Sequence, residues 1–198
     1  MSTNVTEQHM SLHEAIRMAE QAHRNQSRKG SNISYIIHPM EVLQILTAMG
    51  ADIETQIAGV LHDTVEDTDV VLGDIQDKFG KRVAELVSSH TEDKSLSWKE
   101  RKKHTIREME MAERSVKMLI FADLLSNIRS MVYDYQIVGE KLWDRFNAAK
   151  DKKGASYAAL LKTLVELEND SKTKGFYQEA LELFKQLFGD VDLAKAEF

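Results

Sequence analysis

Apolar residues recur along the chain with the three-to-four-residue spacing of helices that bury one face. We find no convincing run of alternating β-branched residues, which would indicate strands. Nine glycines and one proline in 198 residues leave long stretches without a helix breaker. The pattern therefore predicts an all-α fold, a bundle of roughly eight to ten helices.

The periodic stretches and their end signals predict where the helices lie. In chain order they cover residues 12–23, 40–49, a helix that begins after residue 52 and includes 57–69, then 70–79, 81–88, 98–111, 116–132, a helix or turn at 142–147, 157–167 and 176–188. Ser11 with Glu14, and Ser97 with Glu100, have the spacing of capping boxes that begin helices. Residues 88–97 are polar, and we expect them to form a loop.

The length fits one domain with a sizeable core. With 42% hydrophobic and 29% charged residues, the composition is that of an ordinary globular protein. We expect a single domain over residues 1–198 that ends in a frayed tail over 190–198.

Composition also excludes several classes of function. The absence of cysteine excludes disulfides, thiolate catalysis, zinc fingers and iron–sulfur clusters, so any metal must be held by His, Asp, Glu or Asn. A net charge of −6 argues against a nucleic-acid polymer as partner but leaves room for a small polyanionic ligand. The polar N-terminus lacks a signal-peptide core, and the apolar run 118–125 is too short to span a bilayer. We therefore expect a cytoplasmic protein with no membrane partner; its oligomeric state is left open.

A cluster of ionisable residues follows the apolar start of the 57–69 stretch. On a helix His62 and Glu66 lie four residues apart, and so do Asp63 and Asp67. Three carboxylates within about 6 Å of one another repel, and burying them costs more. A divalent cation would remove both penalties, with imidazole and carboxylate as ligands. The alternative is an exposed acidic helix end, which the helix dipole disfavours.

Two further elements carry polar residues that a metal site could use. His38 stands before Pro39, which suits the first position of a helix. Asp123 and Asn127 lie four residues apart in the helix 116–132, which we expect to be the most buried one. They are either a hydrogen-bonded pair in the core or a metal ligand and a substrate-facing amide. The basic segment 23–30 is either a solvated loop or a clamp for phosphates and a nucleobase.

Five motifs occur in the order that a known family has them. They are Arg28-Lys29-Gly30, Tyr35-Ile36-Ile37-His38-Pro39, Leu61-His62-Asp63-Thr64-Val65-Glu66-Asp67-Thr68, Ala122-Asp123 with Asn127 and Arg129, and Trp143 with Arg145-Phe146-Asn147. From about Leu12 to Tyr157 the chain resembles the HD-domain superfamily of metal-dependent phosphohydrolases. More narrowly it resembles the hydrolase domain of the RelA/SpoT-homologue family, in its stand-alone small alarmone hydrolase form. The resemblance implies a helical hydrolase core over about 12–160, with C-terminal helices over 157–188.

The resemblance also implies the roles of individual residues. One divalent ion, usually manganese in this family although other first-row metals are possible, would be bound by His38, His62, Asp63 and Asp123. Glu66 and Asp67 would be the catalytic acids. The substrate-binding candidates are Arg28, Lys29, Asn127, Arg145, Lys150 and Tyr157. Family members remove pyrophosphate from the 3′ position of ppGpp and pppGpp and leave GDP or GTP.

The sequence departs from the family pattern around the expected pocket. Asn32-Ile33-Ser34-Tyr35 replaces Gly-x-Pro-Tyr, Ile120 and Leu124 replace two cations, and Ala155-Ser156-Tyr157 reduces an aromatic cluster. Two alternative functions therefore stay open. One is an HD hydrolase acting on an adenine-type alarmone, a nicotinamide dinucleotide phosphate or an ordinary nucleotide such as a nucleoside monophosphate. The other is a catalytically silent nucleotide-binding module.

Overall fold

The computed structural model describes residues 2–190, 192, 193, 196 and 198, with side chains from residue 6 onward. The α-helices are α1 Ser2–His23, α2 Ile37–Ala48, α3 Ile53–Leu61, α4 Thr64–Asp67, α5 Leu72–Phe79, α6 Lys81–His90, α7 Trp98–Met111, α8 Arg114–Val138, α9 Lys150–Thr163 and α10 Lys174–Phe188. Two 3₁₀ helices cover Gly139–Arg145 and Val165–Asn169. Among the described residues the β structure is one isolated antiparallel bridge between Ser27 and Ser34. The prediction of an all-α fold is confirmed.

The chain folds as two compact units. Unit 1 contains the residues up to Thr91 together with Met118–Ala122, and unit 2 contains Glu92–Lys117 and Asp123–Phe198. A single domain over the whole chain stays a prediction. In the described ranges every helix is too short or too polar to cross a lipid bilayer.

Helix α3 is the centre of unit 1, where it packs against α1, α2 and α6. Asp52 begins it, since its Oδ1 accepts a hydrogen bond from the backbone N–H of Thr55 at 2.8 Å. Gly59 lets α2 approach closely, because a Cβ atom there would lie 2.3 Å from Cδ1 of Leu46. The buried apolar residues of α3 are Ile57, Ala58, Val60 and Leu61. This packing holds the end of α3 rigidly, and the predicted metal ligands follow it directly.

Unit 2 is built from α7, α9 and α10 with the 3₁₀ helix Val165–Asn169. Helix α10 buries the stripe Tyr177, Ala180, Phe184 and Leu187, which has helical spacing. The hydroxyl of Tyr177 donates to the carbonyl of Leu161 in α9 at 2.7 Å. An apolar stripe and one buried hydrogen bond therefore join the last two helices.

Most residues of helix α8 between 116 and 132 are buried, in the stretch that the sequence predicted as the most buried helix. Leu119, Phe121 and Ala122 are fully buried. Ile120 and Leu124, the two departures from the family pattern, are only 4% and 3% exposed. Their apolar side chains are thus core residues.

The predicted starts of α1 and α2 were wrong. Helix α1 begins at Ser2 rather than at residue 12, so Ser11 lies inside it and no capping box begins there. The residues upstream contain no glycine or proline, and the helix can extend through them. Helix α2 begins at Ile37, which places His38 and Pro39 in its first turn. Proline is tolerated there because first-turn N–H groups have no partner within the helix.

The helix predicted to carry residues 57–69 is interrupted. Helix α3 ends at Leu61, His62 and Asp63 form a turn, and α4 follows. The hydroxyl of Thr64 donates a hydrogen bond to the carbonyl of Leu61 at 2.7 Å. This local side-chain bond competes with continuation of the helix. The backbone N–H of Asp67 still donates to the carbonyl of Asp63 at 2.9 Å, so the four-residue spacing of the cluster is kept.

Other boundaries also shift. Helix α5 starts at Leu72, α8 runs from Arg114 to Val138, and α9 starts at Lys150. The capping box of Ser97 and Glu100 is confirmed: Glu100 accepts from the Ser97 N–H at 2.9 Å and its own N–H donates to the Ser97 hydroxyl at 3.4 Å.

The predicted frayed tail falls partly on residues 191, 194, 195 and 197, which lie outside the described residues. Among the described ones, the ring of Phe198 meets Trp98 edge-on, with centroids 5.5 Å apart. The carbonyl of Ala196 accepts from Lys162 at 3.2 Å. Fraying of this tail stays a prediction.

Candidate metal centre and active site

Three of the four predicted metal ligands meet within unit 1. The turn after α3 carries His62 and Asp63, and the first turn of α2 carries His38. Nε2 of His62 and Nε2 of His38 lie 3.0 Å and 3.5 Å from Oδ2 of Asp63. Both imidazoles are buried, at 0% and 2% exposed. Two imidazole nitrogens and a carboxylate oxygen therefore converge on one point.

The hydrogen bond of His62 shows that the donor set suits a cation. Its Nδ1 lies 2.8 Å from the carbonyl oxygen of Gly59. A carbonyl only accepts, so the ring proton is on Nδ1 and the lone pair of Nε2 points toward Asp63. Metal-binding histidines have this arrangement, with the second nitrogen donating to a carbonyl. Two facing lone pairs in a buried place need a proton or a cation between them, and a divalent ion fits.

The acidity of Asp63 follows from the same neighbours. Burial would raise the pKa of Asp63, but His62, followed by His38 and His90, outweighs it and holds that pKa well below its usual range. The carboxylate is therefore ionised and available as a ligand.

Tyr35 orients Asp63, a role that the sequence did not reveal. Its hydroxyl donates to Oδ2 of Asp63 at 2.6 Å. Burial, and next the charge of Asp63, raises the pKa of Tyr35, so the phenol keeps the proton that it donates. Its ring lies against His23, with centroids 4.7 Å apart, and its backbone N–H donates to the carbonyl of Gln26 at 3.0 Å.

His90 is a second residue that the sequence did not reveal. The loop predicted over 88–97 was wrong at its start, because α6 continues to His90. The ring of His90 lies edge-on to that of His62, with centroids 4.7 Å apart. The signal was its position on the buried stripe of α6, seven residues after Val83 and three after Val87.

Glu66 and Asp67, the predicted catalytic acids, both lie in α4. Glu66 is half-buried and Asp67 is exposed. The side-chain amide of Gln26 donates to the backbone carbonyl of Asp67 at 2.7 Å, which ties α4 to the end of α1. The charge of Asp67 also contributes to raising the pKa of Tyr35, so this carboxylate lies near the cluster.

Arg28 and Lys29 lie in the loop after α1. The guanidinium carbon of Arg28 is 5.6 Å from the ring centroid of Tyr35, a cation–π contact. Lys29 is exposed. Arg28 therefore lies in the neighbourhood of Asp63, linked to it through Tyr35.

Asp123 lies in α8 and belongs to unit 2. The residue before it, Ala122, belongs to unit 1. The amide of Asn127 donates to Oδ1 of Asp123 at 2.6 Å. This hydrogen bond is one of the two arrangements that the spacing allowed; a metal ligand with a substrate-facing amide stays a prediction.

The other predicted cations of unit 2 are paired with carboxylates. Arg145 donates to Asp134 at 2.6 Å. Lys150 donates to Glu140 at 2.9 Å, and its ammonium lies 5.2 Å from the ring centroid of Trp143. Both cations are positioned by the 3₁₀ segment and the start of α9.

Tyr157 lies in α9 among aromatic and basic side chains. Its ring is contacted by the ammonium of Lys153 at 4.8 Å and meets Phe188 edge-on, with centroids 6.2 Å apart. Unit 2 also contains a cavity of about 560 Å³. The residues that line it are Ala149, Lys150, Asp151, Gly154, Ala155, Ala158, Phe184, Phe188 and Asp190. Phenylalanines from α10 thus supply aromatic surface that the 155–157 segment lacks.

Comparison with known proteins gives a consistent family. A single model described as an HD domain matches residues 15–189. The guanosine-3′,5′-bis(diphosphate) 3′-pyrophosphohydrolase MESH1 of Danio rerio is 37% identical over 123 residues, which are 61% of this chain and 68% of that protein. An Aquifex aeolicus protein with the same enzyme name, without the MESH1 designation, is 36% identical over 123 residues, but these are only 18% of its length.

Two solved structures are also similar. A metazoan orthologue of SpoT, described as hydrolysing ppGpp, has a TM-score of 0.74 at 27% identity and covers 89% of this chain and 94% of that one. A Listeria monocytogenes EGD-e protein has a TM-score of 0.70 at 38% identity and covers 77% of this chain and 99% of that one. The chain therefore belongs to the HD-domain family, alongside MESH1 and SpoT-like relatives.

Proposed function

We propose that the protein hydrolyses the 3′-pyrophosphate of guanosine alarmones, converting ppGpp and pppGpp to GDP and GTP plus pyrophosphate. The observation that carries the proposal is the convergence of His38 and His62 on Asp63, with Glu66 and Asp67 one turn later. The HD-domain match of this chain and the enzyme name of its MESH1 relatives support the choice of substrate.

One divalent ion would be held by His38, His62, Asp63 and Asp123, and we propose Mn²⁺. The first three ligands come from unit 1. Asp123 is supported as the fourth by its place directly after Ala122 on α8. When bound, the ion supplies Lewis acidity toward water and phosphoryl oxygens.

Glu66 and Asp67 would manage the protons of the reaction. Half-buried Glu66 is the base that accepts a proton from the attacking water as the new P–O bond forms. The bond from phosphorus to the 3′ oxygen breaks, and that oxygen takes a proton as the nucleoside diphosphate leaves. Exposed Asp67 exchanges protons with solvent and orients the water.

The basic residues would bind the phosphates and the nucleoside. Arg28 and Lys29 are the phosphate ligands nearest the metal centre, and Arg28 is steadied by Tyr35. Asn127, Arg145, Lys150 and Tyr157 are the candidates for nucleotide contacts in unit 2. A phosphate at Arg145 or Lys150 replaces the carboxylate that now pairs with it. The cavity beside Lys150 has the volume of a small-molecule site.

The test is a substrate panel with Mn²⁺ present. We expect pyrophosphate release from ppGpp and pppGpp that disappears when the metal is chelated. The panel includes ppApp, NADPH and GMP. Release from GMP or NADPH of phosphate alone, with no turnover of ppGpp, would overturn the proposal.

Two variants separate metal binding from proton transfer. Asp63→Ala should lose both the metal and turnover, because it removes a central ligand. Glu66→Gln should keep the metal and lose turnover by about 100-fold or more, because the amide cannot accept the proton. The matched control is Glu85→Gln in α6, an exposed acid that should change neither quantity. Near-normal turnover by Glu66→Gln would remove the assigned role.

The second candidate is an HD hydrolase for a related nucleotide. It is favoured by Ile120 and Leu124, which are buried apolar residues where the family has cations. Loss of two positive charges changes which phosphate or base arrangement is preferred. Faster turnover of ppApp than of ppGpp in the same panel would select this candidate.

A further inference from the structure

His90 lies beside the metal centre but outside the four residues assigned to it. His90, His62 and Asp63 each offer one ligand atom, and these atoms lie within 4.8 Å of one another. All three residues belong to unit 1. The cluster therefore contains three imidazoles around the carboxylate of Asp63, including that of His38.

We propose that His90 is a direct ligand of the divalent ion, which it binds together with His62 and Asp63. The inference rests on the proposed metal site. Nitrogen and oxygen ligands about 2.1 Å from a common ion lie at most about 4.2 Å apart. The observed spacing of up to 4.8 Å needs only a small side-chain adjustment to reach that geometry.

Helix α6 directs the His90 ring into the cluster. Val83 and Val87, on the same stripe, are fully buried and anchor this face of the helix. Thr91 closes the helix end, since its N–H and its hydroxyl both donate to the carbonyl of Val87 at 3.2 Å and 3.0 Å. Nδ1 of His90 is itself buried. The end of α6 thus holds the His90 ring against that of His62.

A third imidazole changes which metal is preferred. Imidazole suits iron, cobalt, nickel and zinc, whereas carboxylate and water suit manganese and magnesium. His90 should therefore raise the affinity for Co²⁺ and Zn²⁺ more than that for Mn²⁺. The four-ligand site that the family resemblance implies lacks this nitrogen.

The test compares His90→Phe with the unmodified protein. Phenylalanine keeps a ring against His62 and removes both nitrogens. Metal-free proteins are titrated with Co²⁺ and with Mn²⁺, and the visible absorption of Co²⁺ reports its coordination. We expect altered Co²⁺ bands, a Kd for Co²⁺ raised about tenfold or more, and a smaller rise for Mn²⁺.

The matched control is His104→Phe. His104 lies in α7 with its side chain 65% exposed, and its Nδ1 is 3.1 Å from Glu108. It belongs to neither group of possible metal ligands, so its loss should leave the Co²⁺ bands unchanged. Thermal unfolding of the metal-free proteins checks that both variants fold.

Other outcomes decide against the proposal. Unchanged Co²⁺ bands in His90→Phe overturn it even if affinity falls, because His90 would then only position His62. If the variant does not fold, pulsed EPR of the Mn²⁺-loaded unmodified protein decides: three coordinated imidazoles support the proposal and two overturn it. Absence of any metal binding by the unmodified protein would overturn the proposed metal site as well.

Discussion

Oδ2 of Asp63 is the atom on which the candidate site converges. It accepts the hydroxyl proton of Tyr35 and faces Nε2 of both His62 and His38. Each of these partners comes from a different local structure: the segment before α2, the turn after α3 and the first turn of α2. A substitution at any one of these partners should therefore change the affinity for the metal.

Tyr35→Phe tests this at the residue scale. It removes one hydroxyl and leaves Asp63 without the hydrogen bond that orients it. We expect metal affinity to fall by about tenfold or more, as for other groups that orient ligands. Isothermal titration with Mn²⁺ measures the change.

The control for this variant is Tyr133→Phe. Tyr133 is an exposed residue of α8, 62% accessible, and removal of its hydroxyl should leave the affinity unchanged. Equal affinities for Tyr35→Phe and the unmodified protein would show that Asp63 needs no such support.

The sequence identified the residues whose chemistry is local and missed those whose role depends on packing. His62 and Asp63 directly follow apolar residues. The cluster of ionisable residues that they begin could therefore be recognised from the four-residue spacing in the sequence alone. Tyr35 and His90 become part of the site only because α2 and α6 pack against α3. The acidic partners of Arg145 and Lys150 are likewise set by the fold.

At the scale of elements, α3 both fills the core of unit 1 and positions the ligands. Gly59 contributes to both roles. It lets α2 pack closely against α3, and its carbonyl accepts a hydrogen bond from His62. Prediction from sequence located this helix well but extended it too far. The hydroxyl of Thr64 donates to the carbonyl of Leu61, and this local bond favours an earlier helix end than the apolar periodicity indicated.

Gly59→Ala should destabilise the protein. The added Cβ would lie 2.3 Å from Cδ1 of Leu46 and 3.3 Å from Cγ1 of Val42, and both side chains are fully buried. Overpacking of this kind costs about 1–3 kcal/mol in the free energy of unfolding, more than alanine gains as a helix former. Urea unfolding measures the difference.

The matched control is Gly73→Ala in α5. A Cβ there meets no atom within 4 Å, so the substitution should be neutral or stabilise by up to about 1 kcal/mol. A Gly59→Ala protein as stable as Gly73→Ala would contradict the close α2–α3 packing.

At the scale of the whole molecule, metal binding and folding should be coupled. A ligand that binds only the folded state, at a concentration of 100 times its Kd, adds about 2.7 kcal/mol to the free energy of unfolding. We expect Mn²⁺ to raise the melting temperature and a chelator to reverse the increase. Asp63→Ala, measured in parallel by calorimetry, should respond to neither. A melting temperature independent of metal in the unmodified protein would contradict the coupling.

Acid should lower the free energy of unfolding by protonating Glu92, whose side chain is 14% exposed. Burial would raise its pKa, but Lys102 at 2.7 Å and Arg101 at 2.8 Å outweigh this and lower the pKa below 4.5. The unfolded chain therefore takes up this proton first as pH falls. The stabilisation is complete above about pH 4.5 and disappears as pH falls through the pKa of the folded state.

Glu92→Gln should lower the free energy of unfolding at pH 7, and the difference should shrink below pH 4.5. Chemical unfolding at a series of pH values measures it. Glu85→Gln removes an acid from an exposed pair with Lys81 and should change stability by less than about 0.5 kcal/mol. A Glu92→Gln difference that does not depend on pH would exclude an ionised Glu92 as its source.

The bridge between Ser27 and Ser34 joins the two ends of a short loop. Just inside it, the N–H of Arg28 donates to the carbonyl of Ile33 at 2.8 Å, so residues 29–32 form the tip of a closed loop. Insertions or replacements at residues 29–32 can then alter how far Lys29 reaches without moving the phenol that supports Asp63. Under the proposed function, substitutions at this tip would change which nucleotide is preferred, while the residues proposed to bind the metal keep their positions.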